Sequence, residues 1–150
     1  MNHLPKDPDF AARVRGSFAR QQFMTTIGAT IAAVAPGEVI LDLACRPGLT
    51  QQHGFLHAGV VTALADSACG LAALSLMPEG AAVLSVEFKI NLLAPAEGNC
   101  FRAVGRVIRA GKTLTVCSGE VRKGAGPEAA VIAVMQATMM ALQDRPGISD

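Results

Sequence analysis

The residues whose chemistry stands out lie between positions 49 and 70, where polar side chains collect at the beginning of an apolar helix. Backbone N–H groups in the first turn of a helix have no partner within the helix, and the helix dipole adds a partial positive charge there. The amides of Ala58 and Gly59 therefore form a candidate site for an anion or a developing oxyanion. Their small side chains let a substrate carbonyl approach.

Asp66 is the one acidic residue in residues 58–77. An acidic group in apolar surroundings is costly unless partners stabilise it or a reaction uses it. Two interpretations are open: a catalytic base or nucleophile, and a buried, hydrogen-bonded structural aspartate. At 1.5 Å rise per residue, Asp66 lies about 12 Å along the axis from Ala58. Because a base and an oxyanion donor must both lie close to one carbonyl, a site that uses both is predicted to be shared between two chains of a symmetric dimer.

Two histidines before the helix have competing interpretations. His53 and His57 are spaced as metal ligands on a helix could be, but no further ligand follows at a useful spacing and Gly54 favours a loop. No metal site is therefore predicted. His57 is either a catalytic base or a residue that caps the helix and fixes the loop. Ser67 and Ser75 lack the strained turn and the triad partners of a serine hydrolase.

The periodicities along the chain predict the order helix, two strands, helix, four strands. A short amphipathic helix is expected over about residues 9–22 and a long buried helix over about residues 57–77. Apolar and polar residues alternate in residues 84–92, which predicts a half-buried strand with Leu84, Val86, Phe88, Ile90 and Leu92 on one face. The other expected strands are residues 27–34, 38–44, 101–108, 112–122 and 129–142. An antiparallel sheet of about six strands curled round the central helix makes residues 1–150 one α+β domain.

The composition limits the classes of function. Hydrophobic residues make up 51% of the 150 residues and charged residues 17%, which excludes a disordered chain. The net charge is +1 without charge runs, so neither nucleic acid nor an anionic membrane surface is an expected partner. Residues 58–77 are long enough to span a bilayer, but Asp66 near their middle and the lack of an aromatic belt favour a buried helix over a membrane span.

The cysteines give an expectation about location. Cys45, Cys69, Cys100 and Cys117 are far apart and are not spaced as metal ligands, which is typical of reduced, buried thiols. The first 25 residues contain no apolar segment of a secretory signal. Both observations predict a cytoplasmic protein.

The central segment resembles a known family. His57-Ala58-Gly59 followed by Leu64-Ala65-Asp66 resembles the His-Gly-Gly…Leu-x-Asp motif of the PaaI-type, hotdog-fold acyl-CoA thioesterases. Gly54, residues 85–91, Pro95-Ala96 and the hairpin 109–113 are also similar to that family, and the resemblance covers residues 23–142. It implies a hotdog fold, dimers often paired into tetramers, and hydrolysis of an acyl-CoA thioester without metal or cofactor.

The resemblance also implies roles for the matching residues. Asp66 would be the general base or nucleophile, and the N–H of Ala58, with Gly59 beside it, would polarise the thioester carbonyl. Ser85 would help to place the water or the acyl group. Gln51 stands where the family usually has Asn and reaches one methylene further, and Ala58 replaces a Gly and narrows the approach. The residues expected to contact the substrate are His57, Gly54, Arg109, Gly111, Lys112 and Thr113.

The leading hypothesis is an acyl-CoA thioesterase for medium-chain or aromatic acyl groups that acts as a homodimer or homotetramer. The alternative is a hotdog protein that binds acyl-CoA without catalysis. A hotdog dehydratase is disfavoured because the spacing of His57 and Asp66 does not match its pattern. A further set of basic residues could contact CoA phosphates or simply form a solvated face of two strands: Arg102, Arg106, Arg109 and Lys112.

Overall fold

A computed structural model describes residues 3–126, 128–143 and 147–148. Residues 1–2, 127, 144–146 and 149–150 of the expected domain lie outside the described residues. The helices are α1 (Phe10–Arg20), α2 (Gln22–Ile27) and α3 (Ala58–Leu74), with a short 3-10 helix at Pro47–Leu49. The strands are β1 (Ala29–Ala35), β2 (Glu38–Ala44), β3 (Ala82–Leu92), β4 (Cys100–Ala110), β5 (Leu114–Lys123) and β6 (Val131–Leu142).

The six strands form one antiparallel sheet in the order β1-β2-β4-β5-β6-β3. Helix α3 lies across its inner face, where it packs chiefly against β4, β5 and β2. Alternate residues of the central strands point toward α3 and are buried, as in Phe101, Ala103 and Val107 of β4. The predicted α+β architecture, with an antiparallel sheet around a long central helix, is confirmed.

The helix and the sheet approach each other very closely. A Cβ atom on Gly105 of β4 would lie 2.3 Å from the backbone carbonyl of Ala68, and one on Gly119 of β5 would lie 2.9 Å from the sulfur of Cys69. Ala68 and Cys69 are fully buried. Small residues on both surfaces are therefore what allows α3 to sit so deep in the curve of the sheet.

The N-terminal helices hold the far end of α3. The guanidinium of Arg13 donates to the carbonyl oxygens of Leu74 (2.9 Å), Met77 (2.7 Å) and Pro78 (2.5 Å). It also lies 3.2 Å from the carboxylate of Asp7, and both side chains are nearly buried. These bonds connect α1 to the last residue of α3 and to the turn that follows it.

The expected boundaries need three corrections. The helix expected over about residues 9–22 is present as α1 but ends at Arg20, and Gln21 is extended before α2, a second short helix that the sequence did not predict. This break turns Met24 and Ile27 into the core and leaves Phe23 55% exposed. The first strand starts at Ala29 because Gly28, in the left-handed conformation, ends α2. Helix α3 is shorter than residues 57–77, since His57 caps it and it ends at Leu74.

At most of the remaining strand ends, the observed boundary differs from the predicted one by one to two residues.

The face predicted for β3 is also wrong. A β-bulge between Ser85 and Glu87 shifts the register against β6, so Ser85 pairs with the buried Met139, whereas Glu87 pairs with Thr138. The bulge reverses the alternation, which puts Ser85 on the same side of the sheet as Phe88. The expected burial is absent as well: on this edge strand the exposed fractions of Leu84, Val86, Phe88 and Leu92 are 43–53%.

Within the described ranges, no helix is both long and apolar enough to cross a membrane. The longest of these helices, α3, has 17 residues.

We expect Gly105→Ala to lower the free energy of unfolding by about 1–3 kcal/mol, because the added methyl group must displace the backbone of α3. Gly16→Ala is the matched control, since the new Cβ would have an ordinary 3.6 Å contact inside α1 and alanine favours a helix by about 0.5–1 kcal/mol. Urea denaturation measures both. A Gly105→Ala protein as stable as the wild type would contradict the close approach.

Candidate active site

Asp66 and Ser85 meet on the inner side of the sheet. The hydroxyl of Ser85 donates to Oδ1 of Asp66 at 2.7 Å and also lies 3.4 Å from Sδ of Met139. The β-bulge produces this contact by turning Ser85 toward α3. One carboxylate oxygen is thereby oriented, and no described residue donates a hydrogen bond to the other.

A cavity of about 260 Å³ adjoins this pair. Its walls come from the α1–α2 junction, from α3 and from the beginning of β3. The lining residues are Gln21, Asp66, Ser67, Gly70, Leu71, Val83, Leu84 and Ser85. The cavity thus combines a carboxylate, neutral polar groups and an apolar wall.

The beginning of α3 presents one backbone donor. Nδ1 of His57 accepts a hydrogen bond from the Gly59 N–H at 2.9 Å, so His57 is the N-cap and the Gly59 amide is already engaged. The N–H groups of Val60 and Val61 donate to the carbonyl of His57. In the described part of the chain, the Ala58 N–H has no acceptor. Of the two candidate oxyanion donors, Ala58 is therefore the available one.

The loop before α3 positions Gln51 beside that donor. Gly54 has φ +85°, a conformation that favours glycine, and its N–H donates to the Gln51 carbonyl at 2.9 Å. Oε1 of Gln51 accepts from the His53 N–H, which leaves the side-chain NH₂ group for another partner. Gln51 and Ala58 line a second cavity of about 400 Å³, together with Phe55, Leu56, Val61, Leu92, Leu93, Ala94, Pro95, Ala96 and Ile132.

Among the described residues, none lines both cavities. The cavity of Asp66 and Ser85 lies beside the beginning of β3, whereas the cavity of Ala58 and Gln51 lies beside its end at Leu92. Within one chain the two halves of the expected site are therefore apart, in accord with the spacing of about 12 Å along α3.

The hairpin between β4 and β5 is exposed. Arg109, Gly111, Lys112 and Thr113 all lie on it, and a Cβ on Gly111 would come within 2.5 Å of the Leu114 carbonyl oxygen. The Ala141 N–H donates to the Thr113 carbonyl at 2.8 Å, and Ala141 pairs with Val83. The hairpin therefore lies at the Ser85 end of the sheet. Its contact with CoA stays a prediction.

The other two basic candidates are engaged with carboxylates on the outer face of the sheet. Arg102 forms two 2.7 Å hydrogen bonds with Asp42, which raise the pKa of its guanidinium. Arg106 donates to Glu38 at 2.7 Å. For Arg102 and Arg106, these pairs favour the interpretation as a solvated face.

The thiols of Cys69 and Cys117 and the hydroxyl of Ser75 are buried in or beside α3, and their surroundings indicate structural roles. Burial raises the pKa of the Cys69 thiol far above its ordinary value, with smaller effects from Cys117 and Asp66, and burial raises the pKa of Cys117 to about 12. Both thiols are therefore protonated and poorly nucleophilic near neutral pH. The hydroxyl of Ser75 is fully buried, donates to the Ala72 carbonyl and accepts from the Gly37 N–H. In the ranges that the structure describes, no three His, Cys, Asp or Glu side chains converge as metal ligands.

Sequence reasoning missed Gln21, which lines the Asp66 cavity, and the walls that Leu93, Ala94 and Ile132 contribute to the other cavity. Gln21 reaches the site only because α1 and α2 are separate helices. The doublet Gln21-Gln22 at the end of an amphipathic pattern was the available signal, and such a signal is weak.

The comparisons with known proteins decide the family. Residues 53–130, just over half of the chain, match the family model described as "Thioesterase superfamily". The chain belongs to this superfamily. The match includes Asp66, Ser85 and the beginning of α3, and the family places the chain among the thioester hydrolases.

Solved structures of the superfamily share the fold. A thioesterase family protein from Silicibacter pomeroyi is 52% identical, with a TM-score of 0.86 over 89% of this chain and 98% of that one. The PaaI protein of E. coli is 18% identical, with a TM-score of 0.80 over 89% of this chain and 94% of that one. The hotdog fold is thereby confirmed, and the PaaI protein shares it.

Curated relatives are more distant. The 1,4-dihydroxy-2-naphthoyl-CoA hydrolase of Listeria monocytogenes is 30% identical over 91 residues, which are 61% of this chain and 74% of the relative. Across the three curated relatives that match, the chain spans 64–74% of their length.

We expect His57→Ala to lower the free energy of unfolding by about 1 kcal/mol, because the Gly59 N–H loses its cap. His57→Asn should stay close to the wild type, since asparagine is a favourable N-cap residue. Chemical denaturation of the three proteins checks the cap. Equal stability of His57→Ala and wild type would contradict it, and loss of turnover in a stable His57→Asn protein would favour the catalytic-base interpretation.

Proposed function

We propose that the protein hydrolyses acyl-CoA thioesters to the free acid and CoA, with medium-chain or aromatic acyl groups as substrates. Asp66 is the general base or nucleophile, and the helix beginning at Ala58 is the oxyanion hole. One observation carries the proposal: helix α3 holds both a carboxylate, Asp66, that a hydrogen bond from Ser85 orients, and an unengaged backbone N–H at its first residue, Ala58.

Two copies of the chain are needed to complete this site. The side chains of Phe88, Ile90 and Leu92 lie on the helix-facing side of β3, and Phe88 and Leu92 are nevertheless exposed. An exposed edge strand with an apolar face is suited to pairing with another strand. The residues at the beginning of α3 are exposed too. We therefore propose a symmetric dimer in which Asp66 of one chain faces Ala58 of its partner. Pairing of dimers into tetramers stays a prediction.

The general-base reaction follows from these positions. Asp66 accepts a proton from a water whose oxygen attacks the thioester carbonyl carbon, and the carbonyl oxygen becomes an oxyanion bound by the Ala58 N–H of the partner. The C–S bond then breaks, and the proton on Asp66 passes to the CoA sulfur. A thiol is a good leaving group because its pKa is only about 8.5. With Asp66 as nucleophile, an acyl anhydride forms first and water cleaves it. Neither route requires a metal or cofactor.

The residues that line the two cavities support medium-chain or aromatic acyl groups as substrates. The Ala58 cavity is lined largely by aliphatic side chains and Phe55, and the Asp66 cavity has an apolar wall of Leu71, Val83 and Leu84. A related protein is named for an aromatic acyl-CoA substrate. Apolar walls of this kind favour medium-length or aromatic acyl groups.

The test is a thiol-release assay with a panel of acyl-CoAs. We expect Asp66→Asn to lower kcat by at least about 100-fold, because the proton acceptor is lost. Ala58→Pro should lower kcat/KM by about 10²–10³-fold through loss of one oxyanion donor, since proline at the first helical position keeps the helix but has no N–H. Circular dichroism checks that both variants are folded.

The control for the first variant is Asp9→Asn, an exposed carboxylate in the N-terminal segment, which should match the wild type. Unchanged turnover in Asp66→Asn would exclude Asp66 from the mechanism. Tight binding of acyl-CoA by the wild type without any hydrolysis would favour the alternative, a non-catalytic acyl-CoA-binding protein.

A further inference from the structure

Gly70 lies in the interior of α3, four residues after Asp66 and four before the helix ends at Leu74. Glycine destabilises a helix interior relative to alanine, because it loses more conformational freedom on folding. Its φ is not in the left-handed region. Apart from its chain neighbours and the backbone of α3, no described atom would lie within 4 Å of a Cβ added to Gly70. Among the described residues, packing therefore does not require glycine at this position.

Gly70 differs in this respect from the two glycines of the sheet that face α3. A Cβ on Gly105 or on Gly119 would collide with atoms of Ala68 or Cys69. Those two glycines are explained by the close approach of helix and sheet, whereas Gly70 borders a cavity.

The cavity beside Gly70 is the one that adjoins Asp66. Residues four apart lie on the same face of a helix, about 6 Å apart along its axis. A helical side chain leans toward the N-terminus of its helix and covers the turn before its own Cα. A side chain at position 70 would therefore extend toward Asp66 and fill the space next to the carboxylate. Glycine leaves that space open.

The walls of this space are suited to hydrocarbon. Leu71, Val83 and Leu84 line the cavity together with Gly70 and Asp66. In the proposed reaction the thioester carbonyl lies next to Asp66, so the acyl carbons beyond the carbonyl extend along the neighbouring wall. An acetyl group ends one carbon beyond its carbonyl, whereas a medium-chain or aromatic acyl group continues past Gly70.

We propose that Gly70 is a specificity-determining residue: its lack of a side chain admits the part of a medium-chain or aromatic acyl group that lies beyond the carbonyl, and a larger residue there would restrict the protein to short acyl groups. This inference rests on the proposed function, because it assigns the Asp66 cavity to the acyl group. Gly70 takes no part in the chemical step. The residue that destabilises α3 is the one that makes room for the substrate.

Opposite effects on stability and on activity distinguish this role from a structural one. Gly70→Ala should raise Tm by about 2–4 °C, because alanine favours the helix and the new methyl group meets no neighbour. In a thiol-release assay, Gly70→Ala should lower kcat/KM for octanoyl-CoA and phenylacetyl-CoA by about fivefold, and Gly70→Val by more than about tenfold, because added carbons crowd the acyl group. For acetyl-CoA, both variants should stay within about twofold of the wild type.

Gly16→Ala is the matched control. Gly16 is a helical glycine of α1 and is not among the residues that line either cavity. Its replacement should also raise Tm but should leave kcat/KM unchanged for every acyl group.

Three outcomes would overturn the inference. One is an equal decrease in kcat/KM for octanoyl-CoA and acetyl-CoA in Gly70→Val, and another is the absence of any decrease. The third is a Gly70→Ala protein that is less stable than the wild type, because the space beside Gly70 would then be filled by the folded protein or its partner chain.

A binding measurement keeps this result apart from the proposed function. Calorimetry compares octanoyl-CoA with CoA, using Asp66→Asn and Asp66→Asn/Gly70→Val proteins, which bind without turnover. We expect octanoyl-CoA to bind to Asp66→Asn more tightly than CoA does, and Gly70→Val to reduce that ratio by more than about tenfold. Hydrolysis of no acyl-CoA by the wild type would refute the proposed function, whereas a reduced ratio would still support the role of Gly70. An unchanged ratio would refute that role.

Discussion

The close contact between α3 and the sheet is the constraint on which the rest of the structure depends. Gly105 and Gly119 leave no room for a Cβ against the backbone of Ala68 and the sulfur of Cys69. Because almost no side-chain atoms separate the backbone of α3 from the sheet here, a sheet of only six strands can enclose the helix on most sides. A chain rich in small apolar residues and poor in aromatics has the composition that this arrangement requires.

An enclosed helix can offer polar groups only where the sheet leaves it uncovered. The free N–H of Ala58 lies at its first residue, and Asp66 emerges on the side next to β3, where Ser85 reaches it across the bulge. Both groups lie next to the exposed edge strand, but at opposite ends of it. The proposed dimer follows from this geometry, because antiparallel pairing of two such edges would bring unlike ends together.

The sequence predicted the central helix, the six strands and the motif from His57 to Asp66, because long periodic segments and a family resemblance both depend on local patterns. It did not predict the β-bulge before Glu87 or the break at Gln21. Both depend on tertiary packing: the bulge on the pairing of β3 with β6, and the break on burial of Met24 and Ile27. The roles of Asp66, Ser85 and Gln51 and the cytoplasmic location stay predictions.

The most direct test of the shared site is complementation between two inactive chains. Asp66→Asn and Ala58→Pro chains with different tags are co-expressed, and the mixed dimer is purified and assayed. In a shared site, one of the two sites in the mixed dimer combines an intact Asp66 with an intact partner Ala58, so turnover should recover to about half of the wild-type value. A mixed dimer as inactive as its parents would contradict the account.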